Sequence, residues 1–314
     1  VLNGLAADLD GMASTVVRPL APAAPSGALF DFLYLVIPGV IWGASFLFIA
    51  EGLTSIGPAG VTFVRILVGF AALSFVPAAR AAVPRADWGG VAWLGLLWFA
   101  LPLSAFPFAQ QHVSSALAGM LNGAVPIATA IVAALIARRS PSRGVAVGLG
   151  VGLVGAVLVA LPHAGQGGSS LRGVLLILAA LVSYGIALNV ARPLQQRNGA
   201  LPVVWRALGF ALLLTAPLGL PDVVNAHWRP LPLLSLLALG ALGTCVAQVM
   251  VATAAGRLGP TKASVSTFLI PPVALVLGVA VRGEHVALLS VVGGAVCVLG
   301  AWLVRRAQTA PTAR

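Results

Sequence analysis

The chain has 314 residues, of which 60% are hydrophobic and 8% charged, with a mean hydropathy of +1.04. A soluble protein carries roughly a quarter charged residues, so this composition excludes a water-solvated globule and fits a chain whose outer surface meets lipid. The formal net charge of +11 does not point to nucleic acid, because all but two of the cations sit in and beside short connections and tails rather than on one face.

Residues 1–31 open without a basic stretch, contain Asp8 and Asp10, and are rich in Ala, Pro, Ser and Gly, so a flexible tail is expected rather than a signal peptide. Ten apolar runs follow, at 33–50, 58–78, 89–109, 113–136, 144–161, 171–191, 201–219, 231–252, 262–281 and 286–304. Each approaches the roughly 20 residues that a bilayer-spanning helix needs. The runs are continuous and do not alternate apolar with polar, which favours helices over a membrane barrel. Their short connections require antiparallel neighbours.

Polar side chains within these spans must line water or find partners. In the first, Tyr34, Pro38, Trp42, Ser45 and Ile49 share one face, and Trp42 and Ser45 are cavity candidates. The second holds Arg65, seven residues after Pro58, and the seventh holds Arg206. A lone arginine at mid-bilayer costs about 2.5–3.5 kcal/mol on insertion scales. Each is therefore either a partner for a substrate carboxylate or an anchor to helix ends and headgroups. The third span supplies bulk, and Trp98 and Phe99 are its cavity candidates. The fourth groups Asn122, Pro126 and Thr129, and the sixth groups Ser183, Tyr184 and Asn189. In the eighth, Thr244 and Gln248 lie four apart, and the Gln248 amide both donates and accepts, which suits a zwitterionic head group. The ninth carries Ser264 and Thr267 before Pro271 and Pro272. Pro126, Pro271 and Pro272 lack the N–H that would bond a carbonyl one turn earlier. Each is read as a kink or hinge that frees a carbonyl.

Cations set the expected orientation. With the N-terminus cytoplasmic, thirteen face the cytoplasm: Arg18, Arg80, Arg85, Arg138, Arg139, Arg143, Arg192, Arg197, Arg257, Lys262, Arg305, Arg306 and Arg314. Only Arg172, Arg229 and Arg282 face outward. That bias places both termini in the cytoplasm. The even number of spans agrees.

The chain also repeats itself. A shift of 145 residues carries Pro126 onto Pro271, Val147-Gly148 onto Val292-Gly293, Val151 onto Val296, Gly155-Ala156 onto Gly300-Ala301 and Leu158-Val159 onto Leu303-Val304. Arg65 with Gly69-Phe70 resembles Arg206 with Gly209-Phe210. Five spans per copy is odd, so the second copy enters the membrane inverted. Inverted repeats are an architecture of secondary transporters, whose two access states are then near mirror images.

Trp42-Gly43-Ala44-Ser45-Phe46, Pro58 with Arg65, Pro126, Pro271 with Glu284, and the glycine-stepped fifth and tenth spans together resemble the drug/metabolite transporter superfamily, in its ten-helix branch of two EamA-type repeats. The resemblance covers about 32–304. It implies an all-α polytopic fold of two inverted five-helix repeats, 32–161 and 171–304, with a short cytoplasmic tail at 305–314. It further implies export of amino acids, aromatic ones included, or similar metabolites across the bacterial inner membrane. The central cavity would be lined mainly by spans 1, 3, 4, 6, 8 and 9. Spans 2 and 7 lie at that fold's periphery, which favours the anchoring role for Arg65 and Arg206. One position departs from the pattern: Arg139 stands where the family usually has a glutamate, while Glu284 keeps its counterpart.

No acid lies mid-span: Asp31, Glu51, Asp222 and Glu284 are near span ends and Asp87 is in a connection. Facilitated transport without an obligatory proton-binding carboxylate is therefore expected. A multidrug or other metabolite efflux carrier of the same fold is the alternative. An intramembrane enzyme is a remote one, because Ser45 has no histidine in a span core to activate it. No cofactor or metal is expected, since His112, His163, His227 and His285 are scattered and Cys245 and Cys297 lie alone in apolar runs. The partners implied are a small-molecule substrate and the lipid bilayer, without nucleic acid, and a monomer satisfies the pattern.

Overall fold

The computed structural model describes residues 28–138, 140–164, 168–258 and 263–309, and these are predominantly helical with no strand. The tail residues 1–27 and 310–314, and with them Arg18 and Arg314, lie outside the described residues, as do Arg139 and Lys262.

Helices α1 (Ala28–Gly52) and α2 (Pro58–Ser74) open the bundle. Helix α3 covers 88–110 as Trp88–Leu94, a π-helical stretch Gly95–Ala100, and Leu101–Gln110. Helices α4 (Ser115–Asn122) and α5 (Val125–Ala137) are two halves of one span. Next come α6 (Arg143–Ala164), α7 (Gly168–Asn198) and α8 (Ala200–Val224). Helix α9 covers 230–258 as Pro230–Ala238, a π-helical stretch Leu239–Val246, and Ala247–Leu258. A 3-10 segment, Ser264–Leu269, leads into α10 (Ile270–Arg282), and α11 is Leu288–Thr309.

Among the described residues, eight helices are long and apolar enough to cross a bilayer. Two more, Pro58–Ser74 and Ser266–Arg282, are apolar but shorter. The ten full spans expected from hydropathy are thus eight long helices and two short ones. The reasons are local. Helix α2 begins on Pro58 and gives way to a 3-10 turn at Pro77–Arg80. The ninth run starts in 3-10 geometry and becomes α-helical only at Ile270.

The prolines expected to kink continuous helices instead sit just after breaks. Pro126 lies in the first turn of α5, and Pro271 and Pro272 in the first turn of α10. An absent N–H costs nothing at a first turn, where the donor has no helical partner anyway. The two breaks occupy equivalent places under the 145-residue shift. So do the π-helical stretches, since 95–100 maps into 239–246.

Helix pairing follows the same correspondence. Helices α6 and α11 pack along their length, and α2 packs on α8. The α3–α7 contact has its counterpart in α9–α1, and the α5–α7 contact in α10–α1. One buried cluster gathers Phe46, Ile49, Phe106, Met120 and Ile177; a second gathers Ile66, Leu94, Phe99, Val204 and Leu208.

The end of the bundle beyond Glu51 is tied by charge. Gly283 takes φ 64°, a left-handed turn that ends α10 and brings Glu284 back over the start of α4. The carboxylate accepts from Ser115 N–H (3.0 Å), Ser115 Oγ (2.7 Å) and Ala116 N–H (2.9 Å). It thereby satisfies donors that a helix start leaves unpaired. Arg282 pairs with Glu51 at 3.3 Å and with Glu284 at 3.7 Å. Removing a charged acceptor from such bonds costs about 1.5–3 kcal/mol. Glu284→Ala is therefore expected to lower the melting temperature in detergent, with Glu284→Gln losing less. Equal melting of all three proteins would contradict the cap.

Candidate substrate cavity

A cavity of about 390 Å³ lies between α1, α2, α3, the α4/α5 break, α7, α8, α9 and the start of the ninth span. It falls within the usual range of ligand sites. Its walls rest on two local devices. The breaks at 123–124 and 264–269 leave Asn122, Val125, Ser264, Thr267 and Ile270 around the space. The π-helical stretches, each carrying an extra residue per turn, present Trp98 and Phe99 from α3 and Gly243 and Thr244 from α9. π-Helical turns are rare and cluster at functional sites.

Ten of the eleven sequence-derived cavity candidates line this space: Trp42, Ser45, Trp98, Phe99, Asn122, Tyr184, Thr244, Gln248, Ser264 and Thr267. Ser183 does not. It is buried and donates its hydroxyl to the Leu97 carbonyl at 2.7 Å, joining α7 to α3. Successive helical residues point about 100° apart, so Ser183 and Tyr184 take different surroundings.

Trp42 spans the cavity wall from α1 to α9, its indole Nε1–H donating to the Gly243 carbonyl at 2.9 Å. Ser45 is buried and donates to Ile41 O at 2.9 Å. Trp98 and Phe99 stack at 5.3 Å between ring centroids. Phe46 and Phe106 meet edge to face at 5.3 Å, and Phe106 lies 6.3 Å from Tyr184. Along α1 and α3, Phe46, Ile49 and Phe106 are the lining residues nearest the Glu51–Arg282–Glu284 end of the bundle. In the other direction the lining extends to Gln195, Ala255, Ala263 and Ser264. At that end Arg257 pairs with Asp31 at 3.3 Å and lies over the Tyr34 ring.

The two arginines within the apolar helices α2 and α8 have different surroundings. Arg206 is half-buried, donates to Pro202 O at 3.2 Å within its own helix, and lies 5.4 Å from the Trp205 ring centre. It does not reach the cavity. Arg65 is buried at 8% exposure and lines it, with Nε donating to Thr244 Oγ1 at 3.2 Å. The α2–α9 crossing brings it there. A side chain at Gly240 would meet Val68 Cβ at 2.5 Å and the Arg65 carbonyl at 2.9 Å, so only glycine permits this approach. Spans 2 and 7, expected at the periphery, are accordingly part of the wall, the latter through Ala200, Leu201 and Val204. No Asp or Glu is among the lining residues, and no group of three or more His, Cys, Asp and Glu able to hold a metal occurs among the described residues.

Comparison with known proteins agrees with this architecture. The model of the EamA-like transporter family matches residues 29–161 and again 171–306. A probable terminal-alkyne amino-acid exporter of Streptantibioticus cattleyicolor is 29% identical over 87% of this chain and 92% of its own length. An uncharacterized transporter of Bacillus subtilis is 28% identical over 83% of this chain and 86% of its own. A solved crystal structure superimposes with a TM-score of 0.55 at 18% identity, covering 86% of this chain and 98% of that one, which shows a shared fold. The chain belongs to the EamA-like family of the drug/metabolite transporter superfamily and is a multi-pass membrane transporter, not an enzyme.

Proposed function

We propose that the protein exports amino acids or similar small metabolites across the bacterial inner membrane, by alternating access through the central cavity. The observation that carries this reading is a cavity walled by equivalent pieces of both halves of the chain. The two helix breaks and the two π-helical stretches meet there. A site at the interface of two related halves can be exposed to either side by rocking one against the other. The name of the Streptantibioticus cattleyicolor relative, an amino-acid exporter, supports the substrate class.

In this reading the eight long and two short apolar helices make ten crossings. The segments 32–161 and 171–304 are the two inverted five-helix repeats, and both termini are cytoplasmic. The cavity lining at Gln195, Ala255 and Ser264 then lies toward the cytoplasm, and the Phe46–Phe106 pair with the Glu51–Arg282–Glu284 cluster toward the outside.

Among the described residues the lining contains no carboxylate, and so offers no acidic group to load and release a proton with each substrate. Counterflow of labelled amino acid in proteoliposomes should therefore run equally fast with and without an imposed pH gradient. Obligatory one-to-one coupling to protons would contradict facilitated transport.

A further inference from the structure

We infer that Arg65 is the anchor of a carboxylate subsite, so that the cavity selects substrates by an anionic group and rejects otherwise similar amines. This rests on the export reading above and adds to it the chemical feature by which the site chooses.

Arg65 differs from its fellow cations in what surrounds it. Arg197, Arg257 and Arg282 each meet a carboxylate, at 2.8, 3.3 and 3.3 Å. Arg206 rests on its own helix carbonyl and an aromatic face. Arg65 is more deeply placed than any of these, yet among the described residues it has no carboxylate and one hydrogen bond, from Nε to Thr244. Its two terminal nitrogens have no hydrogen bond among the described residues, and the residue lines the cavity. A buried ionised group needs a counter-charge or a full set of hydrogen bonds. The described residues supply neither, and a ligand carboxylate would supply both. The guanidinium fork matches a carboxylate in plane and spacing and grips it with two parallel N–H···O bonds.

The backbone of α9 approaches Arg65 closely. A side chain at Gly243 would come within 2.9 Å of Ser45 Oγ and 3.8 Å of Arg65 Nη2. Glycine at 243 thus lets α9 pack tightly against Ser45, with no side chain of its own between the Arg65 guanidinium and the cavity, and its carbonyl accepts the Trp42 indole N–H. Tyr184 lines the same cavity from α7. Beyond this polar corner the wall is Phe46, Trp98, Phe99 and Phe106, which fits an apolar body. For an ammonium group the lining offers only neutral acceptors such as the Asn122 and Gln248 side chains, neither of which has a hydrogen bond among the described residues. A cation without a carboxylate would face the Arg65 charge unscreened in a low-dielectric site.

The test uses the purified full chain in proteoliposomes at symmetric pH. Labelled probes come in sets of three on a common body: the amino acid, its deaminated acid and its decarboxylated amine. For a phenyl body these are L-phenylalanine, 3-phenylpropionate and phenethylamine; an isobutyl set runs alongside. The wild type is expected to move an amino acid saturably and to be inhibited by the matching acid but not by the matching amine. This comparison needs no variant. Arg65→Gln should reduce carboxylate counterflow about ten- to hundred-fold, the loss of a charge-assisted pair, and Arg65→Lys should recover part of it. Thermal unfolding of each variant separates this from misfolding. Carboxylate transport unchanged in a folded Arg65→Gln protein, or an amine that competes as well as the acid, would overturn the subsite while leaving amino-acid export intact. Saturable transport of amines alone would overturn both the subsite and the amino-acid reading.

Discussion

Gly300→Val is expected to remove the folded protein from detergent extracts or to lower its melting temperature severely. Helices α6 and α11 form the most extensive contact in the bundle, and their backbones nearly touch. A Cβ at Gly300 would lie 2.3 Å from Gly152 N and 2.4 Å from Gly152 Cα, and one at Gly155 would lie 2.4 Å from Cys297 N. These neighbours are backbone atoms, so no side chain can swing aside. The helices would have to part along a seam that also holds the Cys297 Sγ contact to Gly152 O at 3.5 Å. In lipid, helix association depends on close packing rather than on water exclusion. Separation therefore forfeits most of what holds the pair, in addition to the about 1–3 kcal/mol that overpacking alone costs. Gly150 is the control, on the same helix as Gly152 and Gly155, where an added Cβ would meet nothing within 4 Å. Gly150→Val should leave size-exclusion profile and melting unchanged. Equal behaviour of the two variants would mean that the seam is looser than these distances require.

The second large effect concerns transport rather than stability. Trp42→Ala removes both the indole bond from α1 to the Gly243 carbonyl and the ring that bounds the cavity. A hydrogen bond contributes about 0.5–1.5 kcal/mol, and an aromatic contact adds about 0.5–1.5 kcal/mol. Together they amount to about ten- to hundred-fold in transport efficiency, at 1.4 kcal/mol per tenfold. Trp42→Phe keeps a ring and loses the bond, so it should fall between the two. Wild-type counterflow in Trp42→Ala would remove α1 from the substrate path.

Much of this architecture is legible in the sequence because the bilayer imposes simple rules. Continuous apolar runs mark each helix, and the 145-residue shift correctly pairs the breaks at Pro126 and Pro271. Helical phase brings Trp42, Ser45, Thr244 and Gln248 to one space. What the sequence hides depends on contacts between distant segments. The π-helical stretches have no composition signal, being set by how α3 and α9 pack. The access of Arg65 to the cavity requires the close crossing of α2 over α9 that Gly240 allows, and no local pattern announces that crossing. The repeat offers a clue: Gly95 and Gly240 are equivalent under the shift, and both meet backbone or Cβ atoms of a neighbouring helix. Ser183 differs from Tyr184 by one helical position, which is enough to turn it from the cavity to Leu97.

The most direct test of the central claim, that substrate moves through this cavity, is counterflow of labelled amino acids by the purified protein in proteoliposomes at symmetric pH. The cavity-wall variants Trp42→Ala and Gln248→Ala are measured beside the wild type. Saturable movement of one amino-acid class by the wild type, and its loss in both variants, is the expected result. Wild-type rates in both folded variants would contradict the claim, and movement of lipophilic cations or drugs with no movement of any amino acid would overturn the substrate class.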